Sequence, residues 1–297
     1  MKILLFGKNG QLGQTLTRDV PALGETIALD RQGGGDLNDL EALASTIRRL
    51  RPTHIVNAAA YTAVDKAESE YGQALRINAE APGVMAREAQ ALGAWLVHYS
   101  TDYVFDGSGH QAWRESDATG PLNVYGQTKL EGEQRVQAGC QRHLIFRTSW
   151  VYAADGQNFA KTMLRLAQER QRLTVINDQC GAPTGAELIT RVTLQALQQA
   201  LSPGVYHLAA SGQTTWHAYA SQVIAQAKAL RPDLPWQVQD IAPVPSSVFA
   251  TAARRPLNSR LDCSKLQQAL GIELPGWQVG VDALLAQILK PSSFSPT

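Results

Sequence analysis

The sequence predicts an α/β fold: a doubly wound parallel sheet, with a smaller C-terminal lobe interwoven with it. Three observations predict it. Short continuous apolar runs, of which Lys2–Phe6 is the first, suit strands buried on both faces of a parallel sheet. Amphipathic segments alternate with such runs as far as residue 152, over connections of ordinary length. A glycine loop, Gly7-Lys-Asn-Gly10-Gln-Leu-Gly13, lies between the first run and the first amphipathic segment, as in a Rossmann-like βαβ unit.

In that loop Gly7 permits a tight turn, Gly10 lets backbone approach a pyrophosphate, and Gly13 allows close helix–strand packing. Its spacing is GxxGxxG, where the usual fingerprint is GxGxxG. Gln11 and Leu12 open the helix that follows, with Leu12, Leu16 and Val20 on one side. The second strand, Glu25–Leu29, closes on Asp30, seventeen residues after Gly13. A carboxylate there can hydrogen-bond a free ribose 2′-hydroxyl, whereas Arg31 can tolerate a 2′-phosphate, so NADH and NADPH both stay open. Gly33–Asp36 reads as a turn, and Asp36 or Asn38 as the N-cap of a helix over 39–50. Asp36 and Leu37 fall near the adenine in a doubly wound arrangement.

The third strand, His54–Ala60, ends in small residues that let phosphate and ribose come close, and a long helix is expected from about 74 to 92. The fourth strand, Trp95–Asp102, ends in the hydroxyls of Ser100 and Thr101, at the sheet edge where ligands bind in such folds. Those two side chains point to opposite faces, so one of them can serve a site there. His98 reads as a sheet residue. A glycine- and proline-marked loop then leads to Asn123-Val-Tyr125-Gly-Gln-Thr-Lys129, which places Tyr125 and Lys129 one helical turn apart on one face. A phenol titrates ordinarily near about 10. A fixed ammonium beside it should bring that value down into a useful range.

After a fifth strand, His143–Tyr152, the texture changes. Residues 1–152 read as a dinucleotide-binding domain, with later strands added from 173–210. Residues 153–297 read mainly as a substrate-binding lobe with no linker before it. Helices are expected over 159–170, 187–200 and 216–230, the last capped by Thr214 or Thr215, and strands over 173–177 and 205–209. A final helix should end near Lys290, with 291–297 as a frayed tail.

Composition excludes several function classes. Lys plus Arg is 27 against 26 for Asp plus Glu, a net charge of +1, which gives no footprint for nucleic acid or an anionic membrane. Cys140, Cys180 and Cys263 lie far apart without CxxC spacing, so they read as free thiols in a reducing compartment. No apolar run approaches a membrane span, and no signal sequence follows Met1. A cytoplasmic protein is expected.

A hydroxyl, a phenol and an ammonium converging beside a nicotinamide suit carbonyl reduction. Hydroxyl and phenol bond the carbonyl oxygen, and the phenol protonates the forming alkoxide. This set resembles that of the extended short-chain dehydrogenase/reductase family, in which Thr101, Tyr125 and Lys129 align with the catalytic residues. More specific blocks cover nearly the whole chain: Ser100–Gly107, Pro121–Lys129, Arg147–Tyr152, Asn158–Met163, Asn177–Gln179, Gly181–Thr184 and Arg255–Arg260. They resemble the dTDP-4-dehydrorhamnose reductase family. That resemblance implies NADPH- or NADH-dependent reduction of the 4-keto group of dTDP-6-deoxy-L-lyxo-4-hexulose to dTDP-L-rhamnose. It implies dinucleotide contacts from Gly10, Gln11, Leu12, Asp30, Asp36, Leu37, Ala60, Tyr61 and Thr62. It also implies contacts to the sugar nucleotide from Thr101, Asp102 and Trp150.

The family can pair through a magnesium-bridged homodimer built on carboxylates. Here the first helix reads Gln14-Thr15-Leu16, and Glu187 stands elsewhere, so Mg²⁺ is not supported and no metal ligand is assigned. Two rival readings remain. A nucleotide-sugar epimerase or dehydratase of the same superfamily would want carboxylates near the catalytic hydroxyl, and Asp102 follows Thr101 directly. A non-catalytic subunit like the regulatory subunit of methionine adenosyltransferase would not need Thr101, Tyr125 and Lys129 intact.

Overall fold

A computed structural model describes residues 1–290. Six parallel strands form the central sheet: β1 (Lys2–Phe6), β2 (Glu25–Leu29), β3 (His54–Asn57), β4 (Trp95–Thr101), β5 (His143–Thr148) and β6 (Gly204–His207). Their order is β6-β5-β4-β3-β1-β2. The chain goes outward from β1 to β2 and returns across β1 to β3, which puts the topological switch between β1 and β3. Strand alternation explains why these runs are continuously apolar. Ile3 and Leu5 feed one core with Val97 and Phe146, while Leu4 and Phe6 feed the other with Ile55 and Ile145.

On the second of these faces lie α2 (Leu40–Leu50), α3 (Ala81–Leu92) and α4 (Val124–Gly139). Asp39 caps α2, accepting from the backbone N–H of Ala42 at 2.9 Å. The cap expected at Asp36 or Asn38 is therefore corrected. Asp36 is taken by a local turn, in which its Oδ1 accepts from Asn38 N at 3.0 Å. The stretch before α3 is helical from Tyr71, with a wider turn over Arg76–Glu80.

The opposite face carries α1 (Gln11–Asp19) and a helix from the second half of the chain, Ala186–Gln198. Its core continues without a break into the second lobe through Tyr219, Val223, Val281 and Leu284. Of the segments between 173 and 210, Gly204–His207 enters the central sheet. Arg172–Ile176 pairs instead with Asp240–Val244, in a separate parallel ribbon of the second lobe. Thr215 caps the helix Trp216–Leu230, accepting from Ala218 N at 3.2 Å. The tail expected over 291–297 lies outside the described residues.

The fifth strand is shorter than its apolar run. It stops at Thr148, because Trp150 takes a left-handed conformation with φ 48°, and Val151–Tyr152 turn away to pair with Thr184–Gly185. A tryptophan at positive φ is an outlier that the surroundings must hold in place. Here its indole lies over Gly181, where an added Cβ would fall 2.7 Å from the ring, and stacks on Trp216 at 3.7 Å between centroids.

Candidate active site

The carboxyl edge of the sheet gathers the first candidates. Gly7 ends β1 at φ +87°, and its N–H bonds Leu29 O at 3.0 Å, so the chain turns sharply under the end of β2. Gly13 passes so close that a Cβ there would lie 1.9 Å from Gly7 O. Gly10 has no such obstruction; its nearest neighbour would be 3.5 Å away. The backbone N–H groups at the start of α1 thus open toward the edge of the sheet, in the arrangement that suits an anionic pyrophosphate. Gln11 turns its side chain to the second lobe, accepting from Ala153 N at 3.1 Å and from Asn158 Nδ2 at 3.2 Å. Leu12 packs against the core on the α1 side.

Asp30 stands at the end of β2 and has three donors: Gly33 N at 2.8 Å, Asn9 Nδ2 at 3.2 Å and Lys8 Nζ at 3.1 Å. The Gly33 bond, with those from Lys8 and Asn9, holds its carboxyl below the usual range. The cation beside it is Lys8, whereas Arg31 extends toward Asp36, Nε to Oδ1 3.8 Å. Leu37 is buried in the core behind Asp36. Ala60, Tyr61 and Thr62 follow β3. Asn78 holds this loop, accepting from Tyr61 N at 2.8 Å and donating to Tyr61 O at 3.1 Å, and also donates to Thr128 on α4 at 3.2 Å.

Thr101 is the last residue of β4. Its Oγ1 donates to Asp102 Oδ1 at 3.1 Å and accepts from Tyr103 N at 3.2 Å. Tyr125 sits on the first turn of α4, capped by Asn123, whose Oδ1 accepts from Gly126 N at 2.8 Å. The cap's other end donates to Arg254 O at 2.7 Å and ties the helix to the second lobe. The Tyr125 ring meets Tyr103 edge-on at 5.6 Å. Burial pushes the phenol up to about 12, against the opposing pull of the Thr101 hydroxyl. The expectation that Lys129 lowers this value is corrected. Lys129 shares the face, but its Nζ is held by Tyr99 O at 2.6 Å and lies 3.4 Å from His98 Nε2. Burial brings Lys129 itself down to about 8, with Glu133 opposing. Desolvation dominates both groups here.

Asp102 is buried, and desolvation raises its carboxyl to about 7 against the opposing pull of Ser259 and Thr101; its Oδ1 accepts from Thr101, while its Oδ2 has no hydrogen-bond partner among the described residues. The next residue, Tyr103, lines a cleft of about 990 Å³ between the two lobes, with Leu122, Phe159, Trp216 and the 246–255 loop; Thr101, Asp102, Tyr125 and Lys129 are not among its walls. Trp150 is half-buried and stacks on Trp216, which belongs to the cleft wall. Sequence reasoning missed Trp216, Tyr103, Asn78 and Lys8. Asn123 carried a legible cap signal, an asparagine directly before the helix.

Nearly the whole chain matches a known family model. Residues 1–290 fit the family described as RmlD substrate binding domain. This chain belongs to that family. A dTDP-4-dehydrorhamnose reductase of Escherichia coli K12 is 53% identical over 300 residues, covering 99% of this chain and all of the relative. A dTDP-4-dehydrorhamnose reductase structure from Clostridium acetobutylicum superposes with a TM-score of 0.90 at 34% identity, covering 97% of this chain and 99% of that one. One from Bacillus anthracis, in complex with NADP, gives 0.90 at 32% identity over 97% of this chain and all of the other.

The residues that would carry a bridging magnesium do not fit one. Thr15 bonds Thr190, hydroxyl to hydroxyl, at 2.7 Å, and Glu187 is paired with Arg18 at 2.5 Å. Among the described residues no three His, Cys, Asp or Glu side chains gather as a metal-binding group. Nor is any described helix long and apolar enough to cross a membrane.

Proposed function

We propose that this chain reduces the 4-keto group of dTDP-4-dehydro-L-rhamnose to dTDP-L-rhamnose with NADPH or NADH. The observation that carries the reading is that Thr101 ends β4 at the carboxyl edge of the sheet and that Tyr125 and Lys129 share the helix packed against that end, in a chain with reductase relatives over 99% of its length. The reduced nicotinamide, when bound, supplies hydride to the carbonyl carbon. Tyr125 donates to the carbonyl oxygen and delivers its proton there as the oxygen gains charge, and Thr101 becomes the second donor when its one O–H turns from Asp102 to the substrate. A phenol raised to about 12 stays protonated at neutral pH, as an acid must before it is used.

In this reading Gly7, Gly10 and Gly13, with Gln11 and Leu12, form the pyrophosphate turn. Asp30, Asp36 and Leu37 flank the adenosine, and Ala60, Tyr61 and Thr62 line the groove toward the nicotinamide. Lys129 holds the nicotinamide ribose, Asp102 binds the sugar, and Trp150 covers it with an indole face. Residues 1–152 serve the coenzyme, and residues 153–297 serve mainly the sugar nucleotide. A homodimer of this chain would form without a magnesium bridge at α1, and sedimentation measures whether it forms at all. Three free thiols suit a reducing cytoplasm.

The test is coenzyme oxidation by the purified protein with the dTDP-4-keto sugar. Tyr125→Phe should lower kcat by about 10²–10⁴-fold and leave dinucleotide binding nearly intact. Near-wild-type turnover in that variant would remove Tyr125 from the chemistry. An epimerase would instead interconvert sugars without net coenzyme consumption.

A further inference from the structure

His98 is fully buried in the middle of the sheet, two residues before Ser100, and both its ring nitrogens have polar neighbours. Its Nδ1 lies 3.1 Å from Asn57 Nδ2 on β3, and its Nε2 lies 3.4 Å from Lys129 Nζ on α4. The proton positions follow from a fixed point. Ala59 N–H donates to Asn57 Oδ1 at 3.1 Å, so the oxygen of that amide faces Ala59 and its NH₂ faces the imidazole. Nδ1 must then accept, which leaves the ring proton of neutral His98 on Nε2. An ammonium has only donors, so Nε2–H and a protonated Lys129 oppose each other, while a neutral amine offers a lone pair to Nε2–H.

We propose that His98 is a positioning residue: its ring, oriented by Asn57, holds an N–H toward the Lys129 amine and so sets how readily that amine takes a proton. The link begins at Ala59, next to the loop assigned above to the coenzyme groove, and ends at the lysine assigned to the nicotinamide ribose. It therefore joins coenzyme seating to the charge state of Lys129. The charged groups around the pair are few. Glu133 on α4 favours the ammonium and is itself held by Arg147 of β5 in a buried ion pair at 2.7 Å. Over this face α3 contributes apolar Val84 and Met85, and Asn78 and Thr128 are neutral. The inference rests on the reduction proposed above, with Lys129 required as a cation. Activity then falls on the alkaline side as Lys129 loses its proton, well before the Tyr125 phenol titrates.

The experiment is the pH profile of kcat/KM for the keto sugar at saturating NADPH. In His98→Gln the carboxamide is free to turn its oxygen to Nζ and favour the ammonium. In Asn57→Ala the released ring takes its proton on Nδ1, and Nε2 accepts from the ammonium. Both variants should move the alkaline limb upward by about one pH unit, and the plateau rate should fall only severalfold. A loss that is uniform with pH, or a limb that stays or moves downward in either folded variant, overturns the proposal. Histidine ¹⁵N shifts of the wild-type protein test it without a substitution. They should show His98 neutral and protonated on Nε2, and an Nδ1-protonated ring overturns it. Lys129→Met separates the two layers of the argument. Full activity in that variant would overturn the reduction scheme itself, whereas an inactive Lys129→Met beside unmoved limbs would overturn the role of His98 alone.

Discussion

At the scale of single residues, Tyr125 and Lys129 were legible because i and i+4 must share a helix face. Where the amine points was not legible. Spacing fixes the face, whereas the last torsions of a lysine follow its strongest available acceptor, here the Tyr99 carbonyl. The same limit hid Lys8, which sequence places in a glycine loop and geometry places 3.1 Å from Asp30. Asp30 should repel a 2′-phosphate, but with Lys8 against it the repulsion is largely offset, and Lys8 offers the phosphate a cation. Use of both coenzymes is therefore expected. Lys8→Ala should shift the ratio of kcat/KM values toward NADH by about three- to tenfold, and Asp30→Ala should shift it toward NADPH by a similar factor. Arg31→Ala, on a side chain that leans to Asp36, should shift it less than Lys8→Ala. Steady-state rates with both coenzymes at one ionic strength decide this. An Arg31 effect larger than that of Lys8 would move the phosphate to the other side of the turn.

At the scale of elements, the helix that carries Tyr125 is placed by what it lacks. A Cβ on Gly126 would fall 2.2 Å from Tyr103 O, and one on Gly132 would fall 2.1 Å from Asn78 O. Two glycines thus let α4 lie directly against the turn after β4 and against the helical segment before α3. The ion pair from Glu133 to Arg147 anchors its middle to β5. Periodicity announced the helix, but a glycine inside a helical pattern does not say which backbone it lets in. The early end of β5 was equally hidden, because a left-handed tryptophan breaks no sequence rule. Gly132→Ala must push α4 outward by a good fraction of an ångström. That should cost about 1–3 kcal/mol of stability and lower kcat about ten- to a hundredfold by displacing Tyr125. Thermal unfolding and turnover measured together would show it. A destabilised variant with full activity would mean that the position of α4 tolerates more than the chemistry is supposed to allow.

At the scale of the whole molecule, the sheet and its switch point could be read from strand–helix alternation, while the weave of the second lobe could not. Nothing local distinguishes Gly204–His207, which enters the central sheet, from Arg172–Ile176, which does not. The choice belongs to the shared core that joins both lobes, and that core should make acid unfolding a single event. Two of its imidazoles are fully buried: His207 is brought down to about 3 by burial and by Arg147, and His98 is held well below its ordinary value by burial and by Lys129. Each is neutral when folded and binds a proton when unfolded below about pH 6.5. Each therefore contributes stability that is complete above that pH and is lost as pH falls toward the folded value. Asp102 works the other way. Its folded value of about 7 contributes stability that is complete below about pH 4 and is lost as pH rises through 7. Between about pH 4 and 6.5 the count is two protons against one. Stability should thus rise with pH by about 1.4 kcal/mol per unit, the value of one proton. Asp102→Asn removes the opposing group and should make that slope about twice as steep, whereas His207→Gln should nearly flatten it. Urea unfolding of the three proteins at pH 5.0, 5.5, 6.0 and 6.5, followed by fluorescence and far-ultraviolet circular dichroism, measures these slopes. Equal slopes in all three would mean that these buried groups do not stay in the protonation states the fold assigns them. Separate transitions for the two probes would mean that the lobes do not unfold as one body.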